Sequence, residues 1–205
     1  MNRRPLALLS LLVLAAGLAA VLAVTRPARA SVAVGLPAPP FALKGVDGKT
    51  YSLKDYQGKL VVLEWINPDC PFSRRHAEEK TMTELAASHP DVVWLAINSS
   101  NPSSSNFLPP AEHRAYDQQH GITYPVLYDE SGAVGHAYGA RTTPHMFIID
   151  RQGKIAYEGA IDDDPGGREP RARRTNYVEK GLAAEAAGRA PDPALTKPYG
   201  CSVKY

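Results

Sequence analysis

Two near-continuous apolar runs, residues 60–66 (LVVLEWI) and 92–98 (VVWLAIN), constrain the fold more than any other feature of this chain. Runs of this kind are typical of strands that are buried on both faces of a sheet, which requires helices on both sides. The residues between them, 72–88, are good helix formers, and we expect one helix there. The pattern therefore predicts a mixed sheet with helices on both of its faces.

The segments outside these runs predict further strands and helices. A turn rich in glycine and aspartate, residues 45–48, separates two short strands near the start, and the tail from residue 191 has no regular pattern. With a cysteine at the start of the first helix, the order resembles that of the thioredoxin fold, an α/β architecture with a central mixed sheet flanked by helices. We expect that fold with an N-terminal β-hairpin extension and an irregular C-terminal tail. The other expected elements are a helix that ends at Gly121, a strand at 124–129, a short helix at 132–140, an antiparallel hairpin of strands at 145–150 and 154–162, and a helix at 175–187.

The first thirty residues predict export. Arg3 and Arg4 precede an apolar run, residues 5–24, and residues 28–30 (ARA) have the small-x-small pattern of a cleavage site. We interpret residues 1–30 as a signal peptide and residues 31–205 as one domain. An uncleaved membrane anchor is the alternative, and only then do we expect contact with a membrane. In either case we expect the domain in the periplasm or another extracytoplasmic compartment.

The charge distribution argues against nucleic acid as a partner. The formal net charge is +2, but four arginines lie in the N-terminal segment, and subtracting them leaves −2. Electrostatic binding of nucleic acid needs a basic patch, and the remaining sequence predicts none. The sequence also shows no nucleotide, haem or flavin motif, so we expect no cofactor and no resident metal.

Cys70 is expected at the N-cap of the first helix. Pro71 suits the first helical position, because its φ is fixed and its missing N–H would have no partner there. At an N-cap the free backbone N–H groups and the positive end of the helix dipole favour a thiolate. Arg74, Arg75 and His76 follow in the first turns and add positive potential. Cys70 is therefore a candidate nucleophile, with Pro71 and Arg74 as groups that stabilise its thiolate.

The chain has only two cysteines, Cys70 and Cys201. In an oxidising compartment these two thiols allow a single intramolecular disulfide. That bond could be a permanent structural link, or the two thiols could take part in a redox cycle. The residues alone leave both readings open.

Five segments together resemble a known family. They are similar to the redoxin branch of the thioredoxin superfamily, and in particular to peroxiredoxin-like proteins of the alkyl hydroperoxide reductase/thiol-specific antioxidant family. The resemblance covers most of the chain after residue 34. It is carried by residues 35–53 (GLPAPPFALKGVDGKTYSL), 61–73 (VVLEWINPDCPFS), 138–150 (YGARTTPHMFIID), 153–163 (GKIAYEGAIDD) and 197–205 (KPYGCSVKY).

The resemblance implies roles for individual residues. It implies that the Thr143–Pro144 peptide bond is cis and packs beside the thiol of Cys70, which takes the place of the attacking thiol. Glu64 matches the position of the buried acid that shuttles protons in thioredoxins, although that acid is usually aspartate. The alternative for Glu64 is a solvated residue at the edge of the sheet. Cys201 takes the place of a distant resolving cysteine, which condenses with a sulfenic acid on Cys70.

Two departures from the family bear on activity. Peroxiredoxins have a Pro-x-x-x-Thr-x-x-Cys segment that positions the peroxide, and the residues before Cys70 do not match it. The C-x-x-C motif of thioredoxins is also broken, because position 73 is serine. A resolving thiol in this chain would therefore have to be Cys201. Ser73 is either an ordinary polar helix residue or a donor to the Cys70 thiolate.

The resemblance implies an exported thiol oxidoreductase with antioxidant or thiol–disulfide chemistry at Cys70. Its expected partners are a peroxide or protein-disulfide substrate and a thiol reductant that restores the protein. Two other readings stay open. A copper-binding protein of the same fold could use Cys70 with His76 and His145, because sulfur and imidazole suit Cu(I). A non-catalytic binding module could keep the fold and leave Cys70 unreactive.

Overall fold

The computed structural model describes residues 32–205, and within them a seven-stranded mixed sheet forms the centre of the molecule. The strands are β1 (Ala42–Gly45), β2 (Thr50–Ser52), β3 (Val61–Trp65), β4 (Val93–Asn98), β5 (Val126–Tyr128), β6 (Thr142–Thr143), β7 (His145–Ile149), β8 (Ile155–Gly159) and β9 (Cys201–Ser202). The helices are α1 (Pro71–Glu78), α2 (Thr81–Ser88), α3 (Pro110–His120), α4 (Ala133–Tyr138) and α5 (Tyr177–Ala186). The strand order in the sheet is β2-β1-β5-β4-β3-β7-β8, and β6 pairs with β9 in a separate ladder.

Strand β3 lies inside the sheet and separates two hydrophobic clusters. It pairs in parallel with β4 and antiparallel with β7, and all five of its residues are buried. Val61, Leu63 and Trp65 belong to one cluster, to which α4 adds Tyr138. Val62 belongs to the other, which α2 and α5 cover. The predicted α/β thioredoxin-like fold, with helices on both faces of a mixed sheet, is confirmed.

Most of the predicted elements are present with small shifts at their ends. Strands β1 and β2 form the expected N-terminal hairpin, and β7 and β8 form the expected antiparallel pair. Helix α3 ends before Gly121, whose φ of 68° is a left-handed conformation that favours glycine. The two buried apolar runs are β3 and β4, as predicted.

The single helix predicted for residues 72–88 is wrong, because the structure has two helices there. Helix α1 ends at Glu78, and α2 begins at Thr81 after Lys80, which has a positive φ of 54°. Such a φ is uncommon for a residue other than glycine. The break redirects the chain so that Met82 and Leu85 pack into the core, while His76 remains buried in α1.

The irregular tail that we predicted contains a strand. Strand β9 pairs antiparallel with β6, and Cys201 lies opposite Thr143. The ladder continues in the hydrogen bond from the Val203 N–H to the Arg141 carbonyl, at 3.1 Å. We call residues 199–205 the strap. The predicted irregular tail thus has no helix or strand before Cys201, and backbone pairing with a distant segment orders the strap.

The predicted signal peptide, residues 1–30, lies outside the described residues. None of the helices in residues 32–205 has the length and apolar character needed to cross a bilayer. The assignment of residues 31–205 to one domain stays a prediction.

Gly200 allows the strap to cross the loop before Pro144, and its substitution should release the strap. The φ of Gly200 is 132°, and a Cβ there would overlap the Thr143 carbonyl oxygen. We expect Gly200→Ala to cost about 3 kcal/mol in attachment of the strap, through a strained φ and overpacking. The Val203 amide should then lose roughly a hundredfold of its protection from hydrogen exchange.

Gly188→Ala is the matched control for this substitution. Gly188 also has a positive φ, of 67°, but a Cβ there would meet no atom within 4 Å. We expect this variant to leave the protection of the Val203 amide unchanged. Equal protection in both variants would show that the contact between Gly200 and Thr143 does not hold the strap.

Candidate active site

Cys70 lies at the junction between the end of β3 and the start of α1. It is the N-cap of α1, with φ −81° and ψ 120°, and Pro71 takes the first helical position as predicted. The Cys70 N–H donates to the Asn67 carbonyl at 3.0 Å, and the Asn67 side chain accepts from the Asp69 N–H at 2.8 Å. This turn places the thiol at the positive end of the helix. The Cys70 residue is only 3% exposed.

The loop before β7 lies directly against the thiol. The Thr143–Pro144 peptide bond is cis, and the Cys70 thiol donates to the Thr143 carbonyl at 2.9 Å. The hydroxyl of Thr143 is buried and has no hydrogen-bond partner among residues 32–205. Thr143 and Pro144 therefore stand where the resemblance implies, beside Cys70.

The strap brings Cys201 to the same place. Because Cys201 pairs with Thr143, whose carbonyl accepts from the Cys70 thiol, its side chain lies close enough to Cys70 for each thiol to shift the pKa of the other. Both cysteines are free thiols, with Cys70 buried and Cys201 partly exposed. The structure thus brings together the two cysteines of the chain, which are 131 positions apart in the sequence. Their role as a redox pair stays a prediction.

Opposing effects set the pKa of Cys70. Burial raises the pKa, whereas the Cys201 thiol, the hydrogen bond from the Ser73 backbone N–H and the nearby Thr143 side chain lower it, and the balance lies below the ordinary value. The Thr143 carbonyl favours the neutral thiol, because a carbonyl oxygen accepts a hydrogen bond from the S–H but has no hydrogen to donate to a thiolate. Donors near the sulfur outnumber this acceptor, so the site favours a thiolate.

Cys201 has the opposite tendency. Burial, the hydrogen bond to Cys70 and the negative charge on Cys70 raise the pKa of Cys201 to about 11. Cys201 therefore keeps its proton at neutral pH, and Cys70 is the thiol of the pair that ionises more readily. This asymmetry fits an attacking thiolate at Cys70 and a protonated partner at Cys201.

The basic residues of α1 interact with groups other than the Cys70 thiol. The Arg74 guanidinium, about half exposed, contacts the Pro68 carbonyl at 3.4 Å and the Asp69 carboxylate at 3.8 Å. Burial and neighbouring arginines lower the pKa of His76 to about 3, so its ring is neutral at pH 7. The expectation that His76 adds positive charge is therefore wrong. The role of Arg74 in stabilising the thiolate stays a prediction.

Ser73 and Glu64 line one small cavity behind the first turn of α1. The cavity has a volume of about 20 Å³, enough for one water molecule. The Ser73 hydroxyl is buried and has no hydrogen-bond partner within the described part of the chain. The Ser73 backbone N–H lowers the pKa of Cys70, whereas its hydroxyl makes no hydrogen bond to the thiol, so the role of that hydroxyl as a donor stays a prediction.

Glu64 is buried inside the sheet. It is 6% exposed, and burial raises its pKa to about 7, although a hydrogen bond from the Tyr124 hydroxyl at 3.1 Å lowers it. The alternative reading of Glu64 as a solvated edge residue is therefore wrong. A carboxyl with a pKa near neutrality can accept or donate a proton under ordinary conditions. Its role in proton transfer stays a prediction.

Sequence reasoning missed the group that anchors the strap. The Tyr199 hydroxyl donates to the Asp162 carboxylate and accepts from the Arg75 guanidinium at 3.1 Å. The same hydroxyl lies 2.9 Å from Nε2 of His76. A signal was present, because Tyr199 and Asp162 lie in two of the segments that carry the family resemblance.

The two histidines considered as copper ligands are engaged inside the protein. Both ring nitrogens of His76 lie within hydrogen-bond distance of polar side chains, Nδ1 of the Thr81 hydroxyl and Nε2 of the Tyr199 hydroxyl. His145 is fully buried, and its Nδ1 accepts from the Arg141 N–H at 3.3 Å. In residues 32–205 no group of three or more His, Cys, Asp or Glu side chains is arranged to hold a metal ion.

Comparisons with known proteins agree with this fold. Residues 34–158 match the AhpC/TSA family. A crystal structure of an uncharacterized conserved protein from Geobacillus kaustophilus is 33% identical, with a TM-score of 0.75 over 86% of this chain and 94% of that chain. A hypothetical protein from Sinorhizobium meliloti 1021 is 25% identical, with a TM-score of 0.76 over 85% and 96%. A candidate thiol:disulfide interchange protein DsbE from Chlorobium tepidum is 25% identical, with a TM-score of 0.53 over 62% and 85%. No curated protein matches this chain.

Glu64→Gln should change how stability depends on pH. The pKa of Glu64 rises from 4.5 to about 7 on folding, so its ionisation opposes the folded state. This cost is absent below about pH 4.5 and grows as pH rises to about 7, where it reaches roughly 3 kcal/mol. We expect Glu64→Gln to be more stable than the wild type at about pH 8 and similar to it at about pH 4.

Urea unfolding of both proteins at the two pH values measures this difference. Exposed Glu112 offers a control, because Glu112→Gln removes a carboxylate of the same type from the surface. That variant should follow the wild type at both values. A Glu64→Gln variant that also follows the wild type would show that Glu64 is not held in a costly ionised state.

Replacing Cys201 should show its effect on the thiolate of Cys70. Cys201→Ala removes a hydrogen-bond donor and should raise the pKa of Cys70, whereas Cys201→Ser keeps a donor and should raise it less. We expect the Ala variant to have roughly a tenfold smaller thiolate fraction near neutral pH. Thiolate absorbance against pH measures this fraction. Identical titrations of Ala and Ser variants would contradict the assigned role of Cys201.

Proposed function

Because the chain belongs to the AhpC/TSA family, we propose that it is a thiol oxidoreductase in which Cys70 attacks a peroxide or a disulfide and Cys201 resolves the product. The observation that carries the proposal is the pairing of Cys201 with Thr143, which holds the second thiol against the first. The family match and the redoxin fold support an oxidoreductase in general. The pair of thiols is what favours this mechanism.

With a hydroperoxide the cycle has two steps. The Cys70 thiolate attacks one peroxide oxygen, an S–O bond forms, the O–O bond breaks, and the leaving oxygen takes a proton. The sulfur of Cys201 then attacks the Cys70 sulfenic acid, an S–S bond forms, and water leaves with the Cys201 proton. Two thiols and one hydroperoxide thus give one disulfide, one alcohol or water from the leaving oxygen, and one water. An external thiol reductant restores both thiols.

With a disulfide substrate the Cys70 thiolate displaces one sulfur and forms a mixed disulfide. Cys201 then attacks the Cys70 sulfur of that mixed disulfide and releases the second substrate thiol. The products are again the Cys70–Cys201 disulfide and two substrate thiols. In both cases the chemistry needs a reactive Cys70 and a nearby Cys201.

The pKa values of the two thiols suit this order of events. The negative charge on Cys70 is one cause of the raised pKa of Cys201. When Cys70 becomes a sulfenic acid or a mixed disulfide, that charge disappears, so Cys201 ionises more easily when it must attack. We assign Glu64 to proton transfer in this cycle, since its pKa of about 7 allows it to exchange protons near neutral pH.

The site lacks the usual peroxide-binding segment, so we assign polarisation of the substrate to a different hydrogen-bond donor. The peroxiredoxin segment before the cysteine is absent from residues 62–69. The Thr143 hydroxyl, unpartnered among the described residues and close to the thiol, is the group we assign to polarise the substrate. Thr143 also presents its carbonyl to Cys70 at 2.9 Å.

We further propose that the protein acts outside the cytoplasm. The support is the N-terminal segment with its two arginines, apolar run and cleavage pattern. The relative from Chlorobium tepidum, named for thiol:disulfide interchange, is in keeping with such chemistry. The mass of the chain recovered after expression in a bacterial host tests the cleavage, since removal of residues 1–30 gives a defined loss.

Oxidation of the reduced protein by one equivalent of hydrogen peroxide tests the cycle. We expect both thiols to be lost and mass spectrometry to locate a Cys70–Cys201 disulfide that a dithiol reductant reverses. In Cys201→Ser the reaction should stop at a sulfenic acid on Cys70, which dimedone traps. Cys70→Ser should leave Cys201 largely unmodified, because burial, the largest cause of its raised pKa, remains when Cys70 is replaced.

Three outcomes would contradict the proposal. A disulfide that is present from the start and resists dithiol reductants would make the pair a structural link. Two thiols that react with neither hydrogen peroxide nor a disulfide would favour a non-catalytic module. Retention of Cu(I) that depends on Cys70 would instead support the copper-binding alternative.

A further inference from the structure

We propose that the strap restricts Cys70 to oxidants of the size of hydrogen peroxide and keeps protein disulfides away from its sulfur. The proposal rests on the proposed function, because it names the substrate class of the same thiol. Its basis is that the strap crosses the active site and is fixed on both sides of Cys201.

The upstream end of the strap is fixed to the helix that carries Cys70. The Tyr199 hydroxyl donates to Asp162, accepts from Arg75 at 3.1 Å and lies 2.9 Å from His76. Arg75 and His76 both belong to α1. The Tyr199 ring also packs near Phe72, with 6.1 Å between ring centroids. Hydrogen bonds to charged groups are stronger than those between neutral groups, so this end is well held.

The downstream end is fixed to the opposite side of the site. The Tyr205 ring stacks on His136 in α4, with 3.9 Å between centroids and 24° between planes. The Tyr205 hydroxyl donates to the Ala140 carbonyl at 2.7 Å. The Lys204 carbonyl accepts from the Asn101 N–H at 2.6 Å. Beyond Cys201 the strap is thus joined to two separate segments, the α4 region and the loop at Asn101.

Between these ends the strap covers the thiol. Cys201 and Ser202 pair with the backbone of β6, and Gly200 packs against the Thr143 carbonyl. An extended peptide that bound by adding a strand to this edge of β6 would need the positions that Cys201 and Ser202 occupy. With the strap in place, Cys70 is only 3% exposed.

The two kinds of substrate differ in the space they need. Attack on a protein disulfide joins Cys70 to a cysteine that is attached to a whole chain, so that chain must fit against the site. Hydrogen peroxide needs only to reach the sulfur, and it leaves no bulky group on Cys70. A site closed by the strap therefore admits the peroxide and excludes the protein. The bonds formed and broken are those of the hydroperoxide cycle given above.

The test compares both oxidants in a background that traps the first product. Cys201→Ser prevents resolution, so a reaction with hydrogen peroxide appears as a dimedone adduct on Cys70, and a reaction with disulfide-bonded insulin appears as a mixed disulfide. Tyr205→Ala is added to loosen the strap, since Tyr205 touches neither sulfur. We expect the loosened variant to form the mixed disulfide about tenfold faster or more, while the rate with hydrogen peroxide changes less than about threefold.

The outcomes separate this proposal from the proposed function. Equal rates with insulin in Cys201→Ser and Cys201→Ser/Tyr205→Ala, with the peroxide reaction intact, would overturn the size restriction alone. No reaction of Cys70 with either oxidant in any variant would overturn the proposed function. Tyr205→Phe keeps the stack on His136 but loses the hydrogen bond to Ala140. If Tyr205→Ala fails to fold by circular dichroism, the Phe variant should still speed the insulin reaction, and no increase there would contradict the proposal.

Discussion

The antiparallel pairing of Cys201 with Thr143 is the interaction on which the rest of the site depends. It fixes the second thiol against the first and supplies one of the hydrogen bonds that lower the pKa of Cys70. It also covers the Cys70 sulfur, which is otherwise positioned only by the end of β3 and the start of α1. Because Thr143 precedes Pro144 and contacts Cys70 through its carbonyl, a single residue joins the strap, the loop and the thiol. Two residues of backbone pairing thus set the geometry, the acidity and the access of the site.

The parts of the structure that follow local rules were predictable from the sequence. Apolar runs identify β3 and β4, and a cysteine followed by proline identifies the N-cap of α1, because each depends on neighbouring residues alone. Lys80 and the strap depend on contacts far along the chain. The left-handed turn at Lys80 follows from how α1 and α2 pack on the sheet, and β9 forms because β6 offers a backbone partner. Likewise, the burial of Glu64 depends on which elements pack over its face of β3. The cavity that Glu64 shares with Ser73 had no signal in the sequence.

The buried charges near the site anchor the strap and do not contact the Cys70 sulfur. Arg75 contacts Tyr199 and the Asp164 carbonyl, so its charge is used at the strap and α1 rather than at Cys70. His76 stays neutral, because burial and the nearby arginines lower its pKa to about 3. A neutral ring can lie beside the Tyr199 hydroxyl over a wide range of pH. The thiolate is left to the helix N-terminus and to uncharged donors, whose positions are fixed by the backbone.

A closed site must still be returned to its reduced state, and the two sulfurs of the proposed disulfide are unequal in this respect. Cys201 is partly exposed and Cys70 is buried, so an external thiol meets the Cys201 sulfur first. Attack there releases Cys70, which has the lower pKa and is therefore the better leaving group. The strap that keeps large disulfides from Cys70 thus presents the other sulfur of the product to a large reductant. Oxidation by a small molecule on the buried side and reduction through the exposed side are compatible with one fixed conformation, so the cycle requires no release of the strap.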